Sequence, residues 1–274
     1  GVQTCALPIY FIEQQVDYCI IEAGMGGRLD ATTALDYKAC LITNVGLDHT
    51  EYLGDTFEQI AYEKSGVFKP NVPALTTEDK PECQKVMELV ADYMKTPLCF
   101  IDCQETDVLR WNGMTFHLNP PLYQAKNLSL ALETLNVLGI WLEENEIQQV
   151  IDHFQWAGRY MVLRKDPLVL LDGAHNVHGI TALIQSLKDF TGKIYFSVLK
   201  EKDAPHMIEL LQSISKDITL VEISSARLYP LEELGYPIIT VDELISRLLD
   251  TKEDSLLCGS LYYVGEVLEK WGNV

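Results

Sequence analysis

The sequence predicts an α/β protein because two features recur along its 274 residues. The first is a set of short, continuously apolar runs, such as residues 18–21 and 39–42, which are typical of parallel strands buried on both faces. The second is an alternation of such runs with amphipathic segments after Arg159, as expected for a further α/β unit. With 47% hydrophobic residues, the chain can bury the cores of one large or two ordinary domains.

Polar side chains follow the first two apolar runs. Glu22 ends the first run and precedes a glycine-rich turn, and the second run leads to Asp48 and His49. Ligands bind at the carboxyl edge of open α/β sheets, and carboxylate with imidazole suits Mg²⁺ or Mn²⁺. The alternative is a polar loop that covers the sheet edge, and spacing alone favours neither.

Composition restricts the partners and the compartment. A net charge of -19 and a pI of about 4.6 argue against nucleic acid and anionic membranes as partners. The seven cysteines lie mostly in apolar runs, so we interpret them as free thiols of a reducing compartment; Cys99 and Cys103 lack the second pair of a zinc site. No apolar stretch approaches the ~20 residues that span a bilayer. We therefore expect a cytoplasmic protein.

The segment after His49 predicts a helix. Asp55 and Glu58 have the spacing of a capping box, and Gly66 would end the helix after Ser65. Lys64 shares the inward stripe of this helix, and an inward lysine is costly unless it is paired. The alternative is a lysine that extends to solvent at the helix C-terminus, where the helix dipole favours a cation.

Further elements follow from hydrophobic periodicity. Helices are predicted over residues 81–93 and 123–138, and a small β region is predicted from 98 to 118. The inward stripe of the second helix would be Leu128, Ala131, Leu132 and Leu135. Near its start, Asn127 is a simple helix cap if no ligand is invoked.

The last part of the chain should form a second α/β unit. Its candidate strands are residues 168–171, 193–199, 218–223 and 255–258. Asp172 and His175 stand at the end of the first of these strands, separated by a glycine and an alanine. Arg159, which precedes that strand, carries a guanidinium suited to phosphate. The alternatives are a helix N-cap for Asp172 and a surface linker residue for Arg159.

Three motifs together resemble a known family. EAGMGGRLDATT (22–33), ITNVGLDHTEYLGDTFEQIAYEKSG (42–66) and DGAHN (172–176) look like blocks of folylpolyglutamate synthase and dihydrofolate synthase, in the Mur ligase superfamily. The resemblance implies the remainder of a P-loop-type ATPase domain over 10–157, a parallel sheet with helices. It also implies a C-terminal Rossmann-like glutamate-ligase domain over 158–274.

The resemblance raises two expectations about the beginning of the chain. Residues 1–9 match nothing in the motifs, and we expect them to be a non-native leader. The family carries a phosphate-binding G-x-x-x-x-G-K-[ST] loop upstream of the first motif, and this sequence contains none. We therefore expect the chain to be truncated at its N-terminus.

The resemblance also implies roles for particular residues. Glu22, His49 and a carbamylated Lys64 would hold magnesium, as two ions in the family, with Lys64 also counted as catalytic. Asn127 and Arg159 would bind ATP. Asp172 and His175 would contact both the nucleotide and the reacting groups.

The implied activity is an ADP-forming ligation. L-glutamate would be added to folate or to dihydropteroate through an acyl phosphate, with ATP and Mg²⁺ as cofactors, in a monomer. One alternative is a truncated, non-catalytic nucleotide-binding fragment, and another is a Mur-type ligase that acts on a cell-wall precursor. Thr33 departs from the asparagine usual at its position, which affects a possible substrate contact.

Overall fold

The computed structural model describes residues 2–187 and 189–272, with side chains from residue 8 onward. The chain divides into two compact units. One contains the chain up to Glu105, Leu109–Thr115 and Ala125–Glu143; the other contains Thr106–Val108, Phe116–Gln124 and the chain from Glu144 onward. The predicted boundary between residues 157 and 158 stays a prediction. Within the described ranges, every helix is too short or too polar to cross a membrane.

The first half of the chain builds a small parallel sheet with helices. In chain order, its elements are α1 (Val2–Gln14), β1 (Cys40–Ile42), α2 (Thr50–Leu53), α3 (Phe57–Ser65), β2 (Ala74–Thr76), α4 (Pro81–Met94), β3 (Leu98–Phe100), β4 (Val108–Trp111), β5 (Met114–His117) and α5 (Gln124–Val137). Strands β1, β2 and β3 are parallel in that order, with Cys40 opposite Ala74 and Ala74 opposite Leu98. Helices α3 and α4 cover the sheet with Ile60, Ala61, Cys83 and Met87.

The predicted strand at residues 18–21 is wrong. In the described part of the chain this segment pairs with no strand, and Ile20 is 94% exposed. An apolar run predicts burial but does not specify a neighbouring strand that would accept its backbone hydrogen bonds. The carboxyl end of the run nevertheless leads into the glycine-rich turn as expected.

Three smaller predictions also need correction. The run at 98–101 belongs to the parallel sheet as β3, so the separate β region is only the β4–β5 pair. Helix α3 is capped by Thr56 and not by Asp55, since the Thr56 hydroxyl accepts the Gln59 N–H and the Gln59 side chain accepts the Thr56 N–H. In α5 the buried positions are Ala125, Ser129, Leu130 and Leu132. Of the predicted stripe only Leu132 is buried, because α5 turns a different face inward.

The second unit is a six-stranded sheet between helical layers. It contains α6 (Glu144–His153), β6 (Met161–Lys165), β7 (Leu168–Leu171), α7 (Val177–Ser186), β8 (Lys193–Phe196), α8 (Ala204–Leu211), β9 (Ile218–Glu222), β10 (Ile238–Thr240), α9 (Val241–Asp250), β11 (Ser255–Cys258) and α10 (Leu261–Trp271). The strand order is β10-β9-β8-β11-β7-β6, and only β6 runs antiparallel to its neighbour.

Both faces of this sheet are covered. Leu170 packs into one hydrophobic cluster with α7 and α8, while its neighbour Leu171 packs into another with α9 and α10. The four strands predicted from continuous apolar runs are confirmed, two of them with the predicted bounds. The loop after β7 therefore leaves the carboxyl edge of a rigid, doubly covered sheet.

Candidate functional site

Lys64 lies in the last turn of α3 and is half-buried. Burial lowers the pKa of its ammonium group below the usual value, while the nearby carboxylates of Asp48 and Glu22 oppose that shift. The structure therefore brings three predicted segments to one place: the start of the glycine-rich motif, the loop after β1, and α3. Asp48, which was noted beside His49 in the sequence, was not among the predicted metal ligands.

The glycine-rich turn after Glu22 is organised by the side chain of Asp30. Its carboxylate accepts the N–H groups of Gly24 at 2.8 Å and Thr32 at 2.9 Å, and the Thr32 hydroxyl at 2.6 Å. Burial acts to raise the pKa of Asp30, but the hydrogen bonds from Thr32, Met25 and Gly24 lower it below its usual range. The turn is thus fixed by its own sequence.

A second set of contacts joins this turn to α3. Arg28 donates its backbone N–H to the Glu63 carbonyl at 2.8 Å, and its guanidinium pairs with the Glu63 carboxylate at 2.8 Å. Because Glu63 is the neighbour of Lys64, these contacts fix the glycine-rich turn relative to the lysine. Thr33 donates its hydroxyl to the Gly27 carbonyl at 2.6 Å, which gives the departure from asparagine a role within the turn.

His49 adopts a left-handed backbone conformation, with φ of 52°. Its N–H donates to the Asp48 carboxylate at 2.9 Å, and its side chain is exposed at the start of α2. In the described part of the chain, no three His, Cys, Asp or Glu side chains are close enough to hold a metal ion. The acids that act on Lys64 are Glu22 and Asp48, and a third anionic ligand would have to come from elsewhere.

Asp172 follows β7 and is 3% exposed. Its carboxylate accepts the Tyr160 N–H at 2.6 Å and the Ala174 N–H at 2.7 Å. Burial raises the pKa of Asp172 above its usual range, although those N–H groups and the charges of Arg159 and His175 act in the opposite direction. The helix-cap interpretation of Asp172 is wrong, since Asn176 caps α7 by accepting the Gly179 N–H at 2.7 Å.

Arg159 and His175 lie beside Asp172 in the second unit. The Arg159 guanidinium is 2.9 Å from the place that a Cβ on Gly173 would occupy, so the missing side chain makes room for it. His175 Nδ1 is 2.9 Å from the Gly173 carbonyl. Three of the predicted site residues are therefore brought together. Tyr123 joins them, since Asp172 and Arg159 both influence its pKa, which burial raises to about 12.

Asn127 lies one turn into α5 and is exposed. Because α5 begins at Gln124, Asn127 is not the helix cap, and the cap interpretation is wrong. The neighbouring Lys126 pairs with Asp79 at 2.7 Å, which fixes the start of α5 to the segment after β2.

Residues 5–118 match the Mur ligase middle domain family. The chain is 28% identical to the dihydrofolate synthase/folylpolyglutamate synthase of Bacillus subtilis over 98% of its length, and 33% identical to that of Buchnera aphidicola (Schizaphis graminum) over 74%. The chain is therefore similar to the folylpolyglutamate synthases/dihydrofolate synthases, and its first part resembles the middle domain of the Mur ligases.

A solved structure shows the same likeness. The bifunctional folylpolyglutamate synthase/dihydrofolate synthase of Yersinia pestis, complexed with AMPPNP and Mn ion, is 25% identical and superimposes with a TM-score of 0.81 over 96% of this chain. The chain spans 71% and 51% of the Bacillus and Buchnera proteins and 68% of the Yersinia chain.

Proposed function

We propose that this chain is the nucleotide- and glutamate-handling part of an ATP-dependent ligase that adds L-glutamate to the carboxylate of a folate or of dihydropteroate. The substrate carboxylate attacks the γ-phosphorus of ATP, which forms an acyl phosphate and releases ADP. The glutamate amine then attacks the acyl carbon, and phosphate leaves. The clustering of Asp172, Arg159 and His175 at one sheet edge carries this proposal, together with the likeness to the Yersinia enzyme.

Lys64, Glu22 and His49 are proposed to hold the divalent metal. The donor chemistry fits a hard cation, because the carboxylates of Glu22 and Asp48 already act on the half-buried Lys64. When bound, such an ion neutralises charge that develops on the transferred phosphoryl group. The Yersinia structure contains Mn with AMPPNP, which supports a divalent cation here.

Carbamylation of Lys64 would supply the third anionic ligand. The neutral amine attacks CO₂, a C–N bond forms, and a proton is released to give a carbamate. Burial lowers the pKa of Lys64 and so increases the fraction of amine in the reactive neutral form. The modification also replaces a cation between two carboxylates by an anion, which makes this place attractive to metal.

The second unit is proposed to recognise the nucleotide. The Arg159 guanidinium offers a fork of donors to phosphate oxygens, and the Asp172 carboxylate is fixed by two backbone N–H groups. Asn127, which is exposed at the first turn of α5, is proposed as a nucleotide contact on the resemblance alone. The contact between His175 Nδ1 and the Gly173 carbonyl fixes the orientation of the imidazole ring.

The proposal is tested with the complete product of the gene. It is incubated with ATP, Mg²⁺, L-glutamate and either dihydropteroate or tetrahydrofolate, and the products are resolved by mass spectrometry. We expect ADP formation that requires glutamate and a product one glutamyl residue heavier than the acceptor. The proposal would be contradicted if neither acceptor increased the rate of ATP consumption while a muramyl precursor did.

A further inference from the structure

The loop that carries Asp48 and His49 is braced by the segment at residues 77–80, which follows β2. We propose that Glu78 is a positioning residue for the metal-binding loop, and that Thr77 assists it. The expected effect on metal binding rests on the proposed function, whereas the contacts that hold the loop are present in the structure. Thr77 and Glu78 lie outside the three motifs that carry the family resemblance.

Glu78 is a buried carboxylate whose side chain has 0% exposure. One oxygen accepts the Val45 N–H at 2.5 Å, and the other accepts the Lys80 N–H at 2.8 Å and lies 3.2 Å from the Lys80 ammonium. Burying a carboxylate is costly unless donors surround it, and here both oxygens have donors. A bond from a backbone N–H to a buried charged acceptor is stronger than one in water.

The contacts of Glu78 and Thr77 fall on the loop after β1. Val45 is fully buried and lies three residues before Asp48. The Thr77 hydroxyl donates to the Thr43 carbonyl at 2.7 Å, on the other side of Asn44. The loop is therefore held through a backbone donor and a backbone acceptor, so its path is set before it reaches Asp48.

The same short segment also contacts the other elements that carry candidate residues. The Lys80 ammonium lies 5.4 Å from the centre of the Phe57 ring, and Phe57 begins the helix that carries Lys64. Asp79 pairs with Lys126, the neighbour of Asn127, at 2.7 Å. An ordinary turn after a strand needs none of these links. Because these contacts all reach segments that carry candidate site residues, we infer that residues 77–80 position those segments and do more than reverse the chain.

The expected consequence is a loss of metal affinity without a loss of any ligand. Groups that orient metal ligands typically change metal affinity by about 10–100-fold when they are removed. We expect Glu78→Ala to weaken Mn²⁺ binding within that range. Glu78→Gln keeps one acceptor for Val45 but presents an NH₂ group to the Lys80 donors, so its effect should be smaller.

Two measurements on the full chain test the inference. Amide hydrogen exchange reports the order of residues 43–53, and electron paramagnetic resonance titration reports Mn²⁺ affinity. Met87→Ala is the control for a general loss of packing, because Met87 is fully buried in α4, in the hydrophobic cluster that also contains Val45 and Leu53, and its removal keeps the hydrogen bonds of Glu78 and Thr77. Thr77→Val is nearly isosteric and removes the hydroxyl that donates to Thr43, whereas Thr77→Ser loses a methyl group and keeps that donor.

We expect Glu78→Ala and Thr77→Val to raise exchange selectively in residues 43–53 by about tenfold or more, while Thr77→Ser stays close to wild type. Met87→Ala should raise exchange broadly and leave Mn²⁺ affinity unchanged.

Loop exchange in both Glu78→Ala and Thr77→Val that equals wild type would overturn the inference. If Glu78→Ala does not fold, the Thr77 pair decides. Wild-type protein that binds no Mn²⁺ would instead contradict the proposed metal site, and the exchange result would still decide the brace.

Discussion

At the scale of single residues, Lys64 has the environment that the proposed chemistry needs. It is half-buried, its ammonium is destabilised by that burial, and two carboxylates act on it. An arginine keeps the charge but has no amine able to form a carbamate. Lys64→Arg should therefore reduce the ligase rate by about 100-fold or more, in line with the loss of a group that stabilises charge in the transition state.

Labelling with ¹³C-bicarbonate provides the direct readout for Lys64. A carbamate carbon resonance should appear in wild type and disappear in Lys64→Arg. Lys85→Arg, at an exposed position of α4, is the matched control and should keep both the resonance and the rate. A resonance that persists in Lys64→Arg would show that the modified lysine is another residue.

The cysteines give a second residue-scale prediction. Burial raises the pKa of the Cys83 thiol to about 12 and raises that of Cys258 further, so neither forms thiolate near neutral pH. Cys19 and Cys99 are exposed. Alkylation by iodoacetamide at pH 8, mapped by mass spectrometry, should modify Cys19 and Cys99 at least ten times faster than Cys83 and Cys258. Equal alkylation rates at all four cysteines in the native protein would show that Cys83 in α4 and Cys258 in β11 are not buried.

At the scale of elements, the turn after β7 depends on the absence of a side chain at Gly173. A Cβ there would lie 2.4 Å from the Leu261 side chain and 2.9 Å from the Arg159 guanidinium. Gly173→Ala should displace Arg159 and weaken ADP binding by about tenfold, or about 1.4 kcal/mol. Gly265→Ala in α10 is the control, because nothing lies within 4 Å of the added Cβ.

Calorimetric titration with ADP separates these two glycine variants. Gly265→Ala should bind ADP like wild type and gain about 0.5–1 kcal/mol of stability, since alanine is the better helix former. A Gly173→Ala protein with wild-type ADP affinity would show that Arg159 does not serve the nucleotide.

The start of α3 supports a further prediction at this scale. Thr56 caps the helix and Gln59 completes the capping box. Thr56→Ala should lower the free energy of unfolding by about 1 kcal/mol, measured by urea denaturation. Asp55→Ala should cost less, because the Asp55 side chain does not cap the helix. A larger loss of stability in Asp55→Ala than in Thr56→Ala would contradict this and would identify Asp55 as the cap, as the sequence spacing indicated.

At the scale of the whole molecule, the fold was predictable where one segment carries enough information. Strands β7 and β11 are continuous apolar runs between turn residues, and their bounds follow from the sequence alone. Residues 18–21 show the same pattern but lie exposed, because pairing depends on a neighbour that the segment does not specify. Edge strands β6 and β10, which are partly exposed, were missed for a related reason.

The candidate site was predictable through its motifs rather than its geometry. Asp172 and His175 lie five residues or fewer from a strand end, so spacing brings them together. The grouping of Glu22 with Lys64 crosses more than forty residues and came from the family resemblance. Glu78 was missed although it follows a buried strand, as Glu22 follows an apolar run, and that signal could have identified it.

The central claim is that Lys64, Glu22 and the Asp48–His49 loop hold a divalent cation beside the nucleotide. The most direct measurement is anomalous diffraction at the manganese edge from crystals of the complete gene product grown with Mn²⁺, AMPPNP and bicarbonate. We expect manganese within direct coordination distance of ligand atoms of these residues, with a carbamate on Lys64. Manganese bound to the nucleotide phosphates but away from Glu22, Asp48, His49 and an unmodified Lys64 would contradict it.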